Sequence, residues 1–476
     1  MTLKPLFFLL GAIFIVSLAF SFVSDIHPYG DAQAYDRIGW NLARGFGYLE
    51  HEENAANPEK DDAIFRVGPA YEFFLAGVYT LFGHYREPVW IIQALLRALT
   101  AFFLFKIALL LFSHHPKKEW IGFAAAAIFG FFPDLILINS FLLHETLLLF
   151  LSVAAVYFSL IALVTRPETN FSNPRRGRAK FAPQILGIRD LQKFVSRRGS
   201  MVITASLFWA LAILTRPSEL LPFLIFPAAL FLATQKTRLV ALSFLFPFLL
   251  VGGWSLRNSL LYNQPLFTTT AGAYALWVGN NAKASGGYDR PVALQEARER
   301  YHSTGLSRVS LKNMYAFIIH RPLKFLELQF KKTIIYFSLI RPTGFWPHLQ
   351  YVPLQRLFVI GASFTATALL FIAGAAGVWM LGKQKNNILL AFLGFLLAKP
   401  IAVIPFYVET RYRYSFYPLL AIMAAFFVIH IFSSRKPALR IAAGTVAAFL
   451  TIASIDAWFS LPVILNRLPY LLYNIW

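Results

Sequence analysis

Apolar runs close to the roughly 20 residues that an α-helix needs to cross a bilayer core recur along the whole of this chain, and they limit what it can fold into. They fall at 6–23, 88–112, 119–138, 142–165, 201–214, 218–234, 238–253, 356–381, 388–405, 415–432 and 438–458. A soluble fold would have to bury that many helices apolar on every side, with almost no polar faces left for water. The composition agrees: 57% of the 476 residues are hydrophobic, 14% are charged, and mean hydropathy is +0.57. The chain therefore reads as an all-α polytopic membrane protein of about 11 crossings. No internal repeat is visible. Cysteine is absent, which excludes disulfides and Cys-ligated metal and leaves the redox compartment open. The first run follows Lys4 and lacks a small-residue cleavage site, so it reads as a retained anchor.

A net charge of +21 would suit a nucleic-acid partner, but its placement argues for lipid instead. The basic residues gather at 113–120, 166–199, 235–238, 382–385 and 433–440, between apolar runs. If these loops share the cytoplasmic side, the positive-inside rule orients every span, with the N-terminus inside and the C-terminus outside. The basic loop 166–200 then lies against anionic headgroups. The scheme holds only if 67–83, with Pro69 and Glu72, lies at the interface rather than crossing. It divides the chain into a first span (1–23), an outer loop with interfacial helices (24–87), spans two to seven (88–253), a large outer loop (254–355), and C-terminal spans with an outer tail (356–476). Function is expected in the two outer segments.

Directly after the first run stands "SDIHPYGDAQAYDRIGWNLARGFGY". Asp31, Tyr35, Ile38 and Leu42 share one face of a helix that starts at Asp31. Local pattern leaves two roles for Asp31: an N-cap, or a carboxylate held at the bilayer surface to accept a proton or hold a cation. His27, Tyr35 and Asp36 stand close enough in sequence to assist it.

Motifs along nearly the whole chain carry a resemblance: Gly30-Asp31, Tyr35, Asn41-Leu42 and "GFGY", then "FRVGPAYEFFLAG", "FGHYREPVWIIQALLRAL" and "FPDLILINSFLLHETLLLFL". "LAILTRPSELLP", "GGWSLRNSLLYNQPLFTTTAGAYALWVGNN" and "ETRYRYSFYPLLAIMAA" follow in order. Together they resemble the polyprenyl-phosphate-dependent membrane glycosyltransferases of the GT-C class, in particular bacterial relatives of protein O-mannosyltransferases and of the lipid A aminoarabinose transferase. The resemblance implies a multi-pass protein of the bacterial inner membrane with its active site facing the periplasm. It would take a polyprenyl-phosphate-linked sugar and pass it to an acceptor glycan, lipid or protein in the cell envelope, lipopolysaccharide among them.

In that family the first-loop aspartate deprotonates the acceptor hydroxyl, and the resemblance carries this role to Asp31. A single displacement from a phosphate leaving group needs one base and inverts the anomeric carbon. Family members also have an acidic residue where Glu145 opens the fourth run, which implies contact with acceptor, sugar or cation. A span N-terminus also favours a carboxylate there. The lipid phosphate asks for cations, and arginine's planar fork suits it. Candidates are Arg411 and Arg413 in "ETRYRYSFYP", with Tyr412 between them, Arg216 in "LTRPSE", and Arg257 in "WSLRN". The first-loop motif is Asp31-Ala32 where several relatives carry two acidic residues, and Arg66 stands where the aminoarabinose branch has a glutamate. Those departures leave a divalent metal open and point away from that branch. A transporter or flippase would place charges at mid-span, for which Arg97 and Lys106 are the nearest signal. A non-catalytic lipid-binding subunit would tolerate replacement of Asp31. No local motif names the sugar or the acceptor.

Overall fold

A backbone in hydrocarbon must satisfy its own hydrogen bonds, so the apolar runs become helices and their breaks collect at the ends of the bundle. The structure, a computed structural model, describes residues 3–66, 68–164, 197–288, 291–341, 353–382, 386–431 and 435–473. Among the described residues there is no β-strand. Most of the basic loop 166–200 lies outside them.

The helices are α1 (Leu3–Ser24), α2 (Asp31–Ala43), α3 (Ala70–Phe82), α4 (Arg86–Leu111), α5 (Lys118–Gly130), α6 (Pro133–Ile138), α7 (Glu145–Val164), α8 (Arg197–Thr215) and α9 (Leu220–Thr234). They continue with α10 (Thr237–Ser243), α11 (Gly252–Leu261), α12 (Ala271–Gly279), α13 (Val292–Arg300), α14 (Ser303–His320) and α15 (Pro322–Phe337). The last four are α16 (Pro353–Leu381), α17 (Asn387–Val403), α18 (Tyr417–Ile431) and α19 (Arg435–Tyr473). Among the described residues eight helical stretches are long and apolar enough to cross a membrane, one of them running Thr237–Leu261 through a wide π turn at Pro247–Val251. That is fewer than the 11 crossings expected. Three expected spans are shorter here: α17, α18, and the run 119–138, which is split. The split has a cause. Pro133 has no N–H and pushes Phe132 into extended backbone, so α5 stops at Gly130 and α6 begins afresh.

The open carbonyls at that break are met by Arg97 of α4, which is buried and donates to Gly130 O at 2.7 Å, Phe129 O at 3.4 Å and Ser17 Oγ at 3.0 Å. The cation thus sits at a helix C-terminus, where the dipole favours it. This corrects the reading of Arg97 as a trace of a transport path.

Packing runs along the chain: α1 lies on α4, α4 on α5 and α7, α7 on α8, α9 on α17, and α16 on α18. The core between them is aliphatic and aromatic, with Trp90, Trp209 and Phe226 fully buried. α3 does not carry the chain across. Arg86, at the start of α4, donates to Ile26 O at 3.0 Å and pairs with Asp25 at 3.2 Å, both just beyond α1. The segment 25–85 therefore returns to the end of the bundle from which it left, and α2 and α3 lie against each other within it.

The segments 24–87 and 254–355 are bound together as well. Thr270 N donates to Ile64 O at 3.1 Å, and Thr269 Oγ1 donates to Ile64 O at 2.9 Å. Gly68 rests directly on the last turn of α8: a Cβ there would stand 2.1 Å from Leu214 O. Gly68→Ala forces backbone to move and should cost about 1–3 kcal/mol, read as a lower thermal midpoint in detergent.

Candidate active site

α2 begins where Gly30 turns the chain with φ 57°, a conformation a side chain would resist. Gly30 holds the capping position, so Asp31 is the first helical residue and its carboxylate caps nothing. That corrects the N-cap alternative. The buried face of α2, with Ala32, Tyr35 and Ile38, packs inward and leaves the Asp31 side chain 43% exposed.

Two arginines from distant parts of the chain meet this carboxylate. Arg411 Nη2 donates to Asp31 Oδ2 at 3.2 Å, and Arg66 Nη1 lies 3.9 Å from Oδ1. Each arginine also holds a second carboxylate: Arg411 Nε donates to Glu409 Oε2 at 2.7 Å, and Arg66 donates to Glu50 Oε2 from Nε at 3.0 Å and from Nη2. Burial opposes ionisation of Asp31, but Arg411 and then Arg66 outweigh it and hold the carboxyl below its ordinary range. Asp31 is an anion at neutral pH.

The turn that carries Arg411 is clamped by the segment 254–355. Lys332 of α15 is fully buried and donates to Asn280 Oδ1, Pro405 O and Phe406 O at 2.8–2.9 Å. Its burial, with no carboxylate among these partners, pushes the ammonium down to about 7. Gly279 allows the approach, since a Cβ there would stand 2.2 Å from Phe406 O.

Glu145 and His144 stand at the start of α7, presented by a turn whose carbonyls are held by α4: Trp90 Nε1 donates to Ser140 O at 3.0 Å and Gln93 Nε2 to Asn139 O at 2.8 Å. Both side chains are buried, and neither carboxylate oxygen nor either ring nitrogen has a hydrogen-bond partner. Burial drives the His144 imidazole down to about 4, so it is neutral beside Glu145 at 3.9 Å. Tyr35 is buried next to it, ring edge to ring face at 5.9 Å, and burial pushes its hydroxyl well up. The charges of Glu145 and Asp31 both act on Arg411.

Arg216 follows α8 with its guanidinium over the Tyr412 ring at 4.2 Å. It is buried yet has no ion pair and no side-chain hydrogen bond among the described residues. Arg411 approaches the same ring at 5.4 Å, and Tyr412 Oη donates to Tyr407 Oη at 2.8 Å. The turn after Arg216 is set by Glu219, which is buried, accepts from Ser152 Oγ at 2.9 Å and pairs with Lys399. Asp31, Tyr35, Glu145, Arg216, Arg411 and Tyr412 thus converge.

Four expected residues stand elsewhere. Arg413 is fully buried and donates to Ser338 O at 3.0 Å and Ile335 O at 2.6 Å, which leaves it no face for a phosphate. Arg257 lies over the Trp254 ring at 4.9 Å and donates to Asn258 Oδ1, so it is held within its own helix. His27 is exposed on the link after α1 and makes no hydrogen bond or ion pair among the described residues. Asp36 accepts from Tyr79 Oη at 2.6 Å and contacts His84 at 2.9 Å, so it fastens α2 to α3. Sequence reasoning missed Glu50, Glu409 and Glu72. The last is fully buried on α3, accepts from Tyr48 Oη at 3.3 Å, and is pushed up by burial to about 8. Among the described residues no three His, Cys, Asp or Glu side chains stand close enough to hold a metal ion.

No protein-family model and no curated protein matches the sequence. Solved structures do match. The apo form of the Archaeoglobus fulgidus oligosaccharyltransferase aligns with a TM-score of 0.50 at 15% identity, over 95% of this chain and 55% of that one. The same enzyme tethered with an acceptor peptide containing the NVT sequon also gives 0.50 at 15% identity, over 95% and 54%. ArnT from Cupriavidus metallidurans bound to undecaprenyl phosphate aligns at 0.47 and 15% identity, over 99% and 74%. The chain spans about half the length of the archaeal enzyme. At these identities the likeness is one of architecture: the chain has an all-α, GT-C-like membrane fold.

Proposed function

We propose that the chain is an inverting glycosyltransferase that moves a sugar from a polyprenyl phosphate to an acceptor hydroxyl at the outer face of a bacterial cytoplasmic membrane. The observation that carries this reading is the partly exposed, ionised Asp31 in contact with Arg411, beside a buried arginine, Arg216, that has no anion of its own. A membrane-embedded site with an uncommitted cation suits a lipid that presents a phosphate at the bilayer surface. The basic loops 113–120 and 235–238 connect the opposite helix ends, which supports an outward-facing site.

In the displacement the acceptor O–H gives its proton to Asp31 while its oxygen bonds the anomeric carbon. The bond from that carbon to the phosphate oxygen breaks, and the electron pair leaves with the polyprenyl phosphate. Arg216 and Arg411 stabilise the charge that develops there. A carboxylate held by two guanidiniums is a weak base, which the shared Arg411 resolves. A bound phosphate competes for Arg411, and each contact it takes away frees Asp31 for the acceptor. Glu145 and His144, buried with unpartnered polar atoms, would receive hydroxyls of sugar or acceptor.

Asp31→Asn should lower transfer from a polyprenyl-linked sugar by about 10²–10⁴-fold, the usual worth of a positioned base, while binding of undecaprenyl phosphate persists. Loss of that binding together with transfer, or full retention of transfer, would refute the role. Arg216→Gln should weaken undecaprenyl phosphate binding at least about tenfold, since a charge-assisted bond contributes about 1.5–3 kcal/mol. Arg411→Gln tests the coupling through pH. Asp31 is depressed chiefly by Arg411, so activity is lost only as pH falls through that lowered value. Without the arginine, burial dominates and the acid limb of kcat/KM should move to higher pH.

A further inference from the structure

Helices α14 and α15 of the second outer segment leave an apolar stripe uncovered. Tyr315 and Ile319 on α14 stand four apart, and Leu323, Leu326 and Phe330 on α15 three and four apart, in each helix the spacing of one face, and the two helices meet at Arg321. All five are exposed, Ile319 to 72% and Leu323 to 81%. The opposite side, with Leu306, Met314, Leu328 and Lys332, is buried against the protein. Basic residues border the stripe: Lys312 and Arg321 are exposed with no carboxylate partner among the described residues, and Lys324 pairs with Glu327 at 2.8 Å.

The stripe runs into a surface that faces lipid. α15 packs on α19, with Lys331 over the Phe459 ring at 5.6 Å, and Arg341 just beyond α15 grips Asp456 with two hydrogen bonds of 2.7 Å. Asp456 lies about 30 Å along α19 from its basic start at Arg435, the thickness of a bilayer core. Trp458, 76% exposed, stands at that depth, where tryptophan marks the membrane interface.

We propose that α14 and α15 lie along the membrane surface, with the stripe among the acyl chains of the outer leaflet and Lys312, Arg321 and Lys324 at anionic phospholipid headgroups. The inference rests on the membrane fold and goes beyond the transferase reading. The bilayer then bears on the site: the buried side of α15 carries Lys332, which grips the Pro405 and Phe406 carbonyls ahead of Arg411.

The chain has no cysteine, so single labels are clean. Nitroxides on Leu323→Cys, Leu326→Cys and Lys312→Cys are compared in vesicles of phosphatidylcholine with phosphatidylglycerol. Leu450→Cys, exposed on α19, serves as the lipid reference. Power saturation should show labels at 323 and 326 open to oxygen and closed to a nickel chelate, as at 450, with the reverse at 312. Nickel access at 323 and 326 equal to that at 312 would overturn the proposal. Dipolar broadening between labelled copies at 323 would overturn it too, by assigning the stripe to a second chain. The headgroup contact has its own arm. Arg321→Glu with Lys312→Glu should make the label at 323 shallower in phosphatidylglycerol vesicles and leave it unchanged in phosphatidylcholine alone, and equal depth in all four samples would refute it.

Discussion

The contact between Arg411 and Asp31 joins residues 380 positions apart, and much of the architecture can be read as what keeps that contact in place. From one side Gly30 turns the chain so that Asp31 opens α2 without being spent on its cap. From the other, Lys332, Asn280 and Gly279 seize the backbone at 405–406 and fix where the turn at Arg411 begins. A guanidinium shared between Glu409 and Asp31 is strongly held.

The bilayer explains why such groups assemble at one end of the bundle. Within hydrocarbon every open carbonyl has to find a donor, so breaks in helices are tolerated only where side chains close them. Arg97 closes the break after α5, and Trp90 with Gln93 closes the turn after α6. That second closure is also what delivers His144 and Glu145 to the site. Structural polar groups and candidate functional ones therefore differ in one respect. Arg97, Arg413, Lys332 and Asp61 are each held by several backbone or side-chain partners, with only Nε left over on Arg97 and Arg413, whereas neither polar atom of the Glu145 and His144 side chains has one and Arg216 makes no side-chain hydrogen bond among the described residues.

Apolar run length made the helices legible, because it is a local property. Asp31 and Tyr35 could be placed on one helix face from spacing alone. The distinction between Arg411 and Arg413 could not. They stand two residues apart in a short 3₁₀ turn, and which of them faces Ile335 and Ser338 rather than Asp31 depends on α15, far back in the chain. Glu50 and Arg66 form a pair across a loop of three short 3₁₀ turns, a route no periodicity encodes. The failed N-cap reading of Asp31 has the same origin: the pattern Gly-Asp is the same whether the glycine or the aspartate occupies the cap.

A buried polar atom without a partner costs about 1–3 kcal/mol, and the side chains of Glu145 and His144 carry four such atoms. Here the surrounding structure supports the imbalance. The Glu219–Lys399–Ser152 group fastens the turn behind Arg216, and among the described residues the Arg216 guanidinium has the Tyr412 ring against it and no ion pair. A phosphate entering beside Tyr412 would meet a cation that has no other anion, and in meeting Arg411 as well it would loosen the grip on Asp31. In the proposed reaction, ligand binding and release of the Asp31 carboxylate would follow from one rearrangement of charge, with the helices in place.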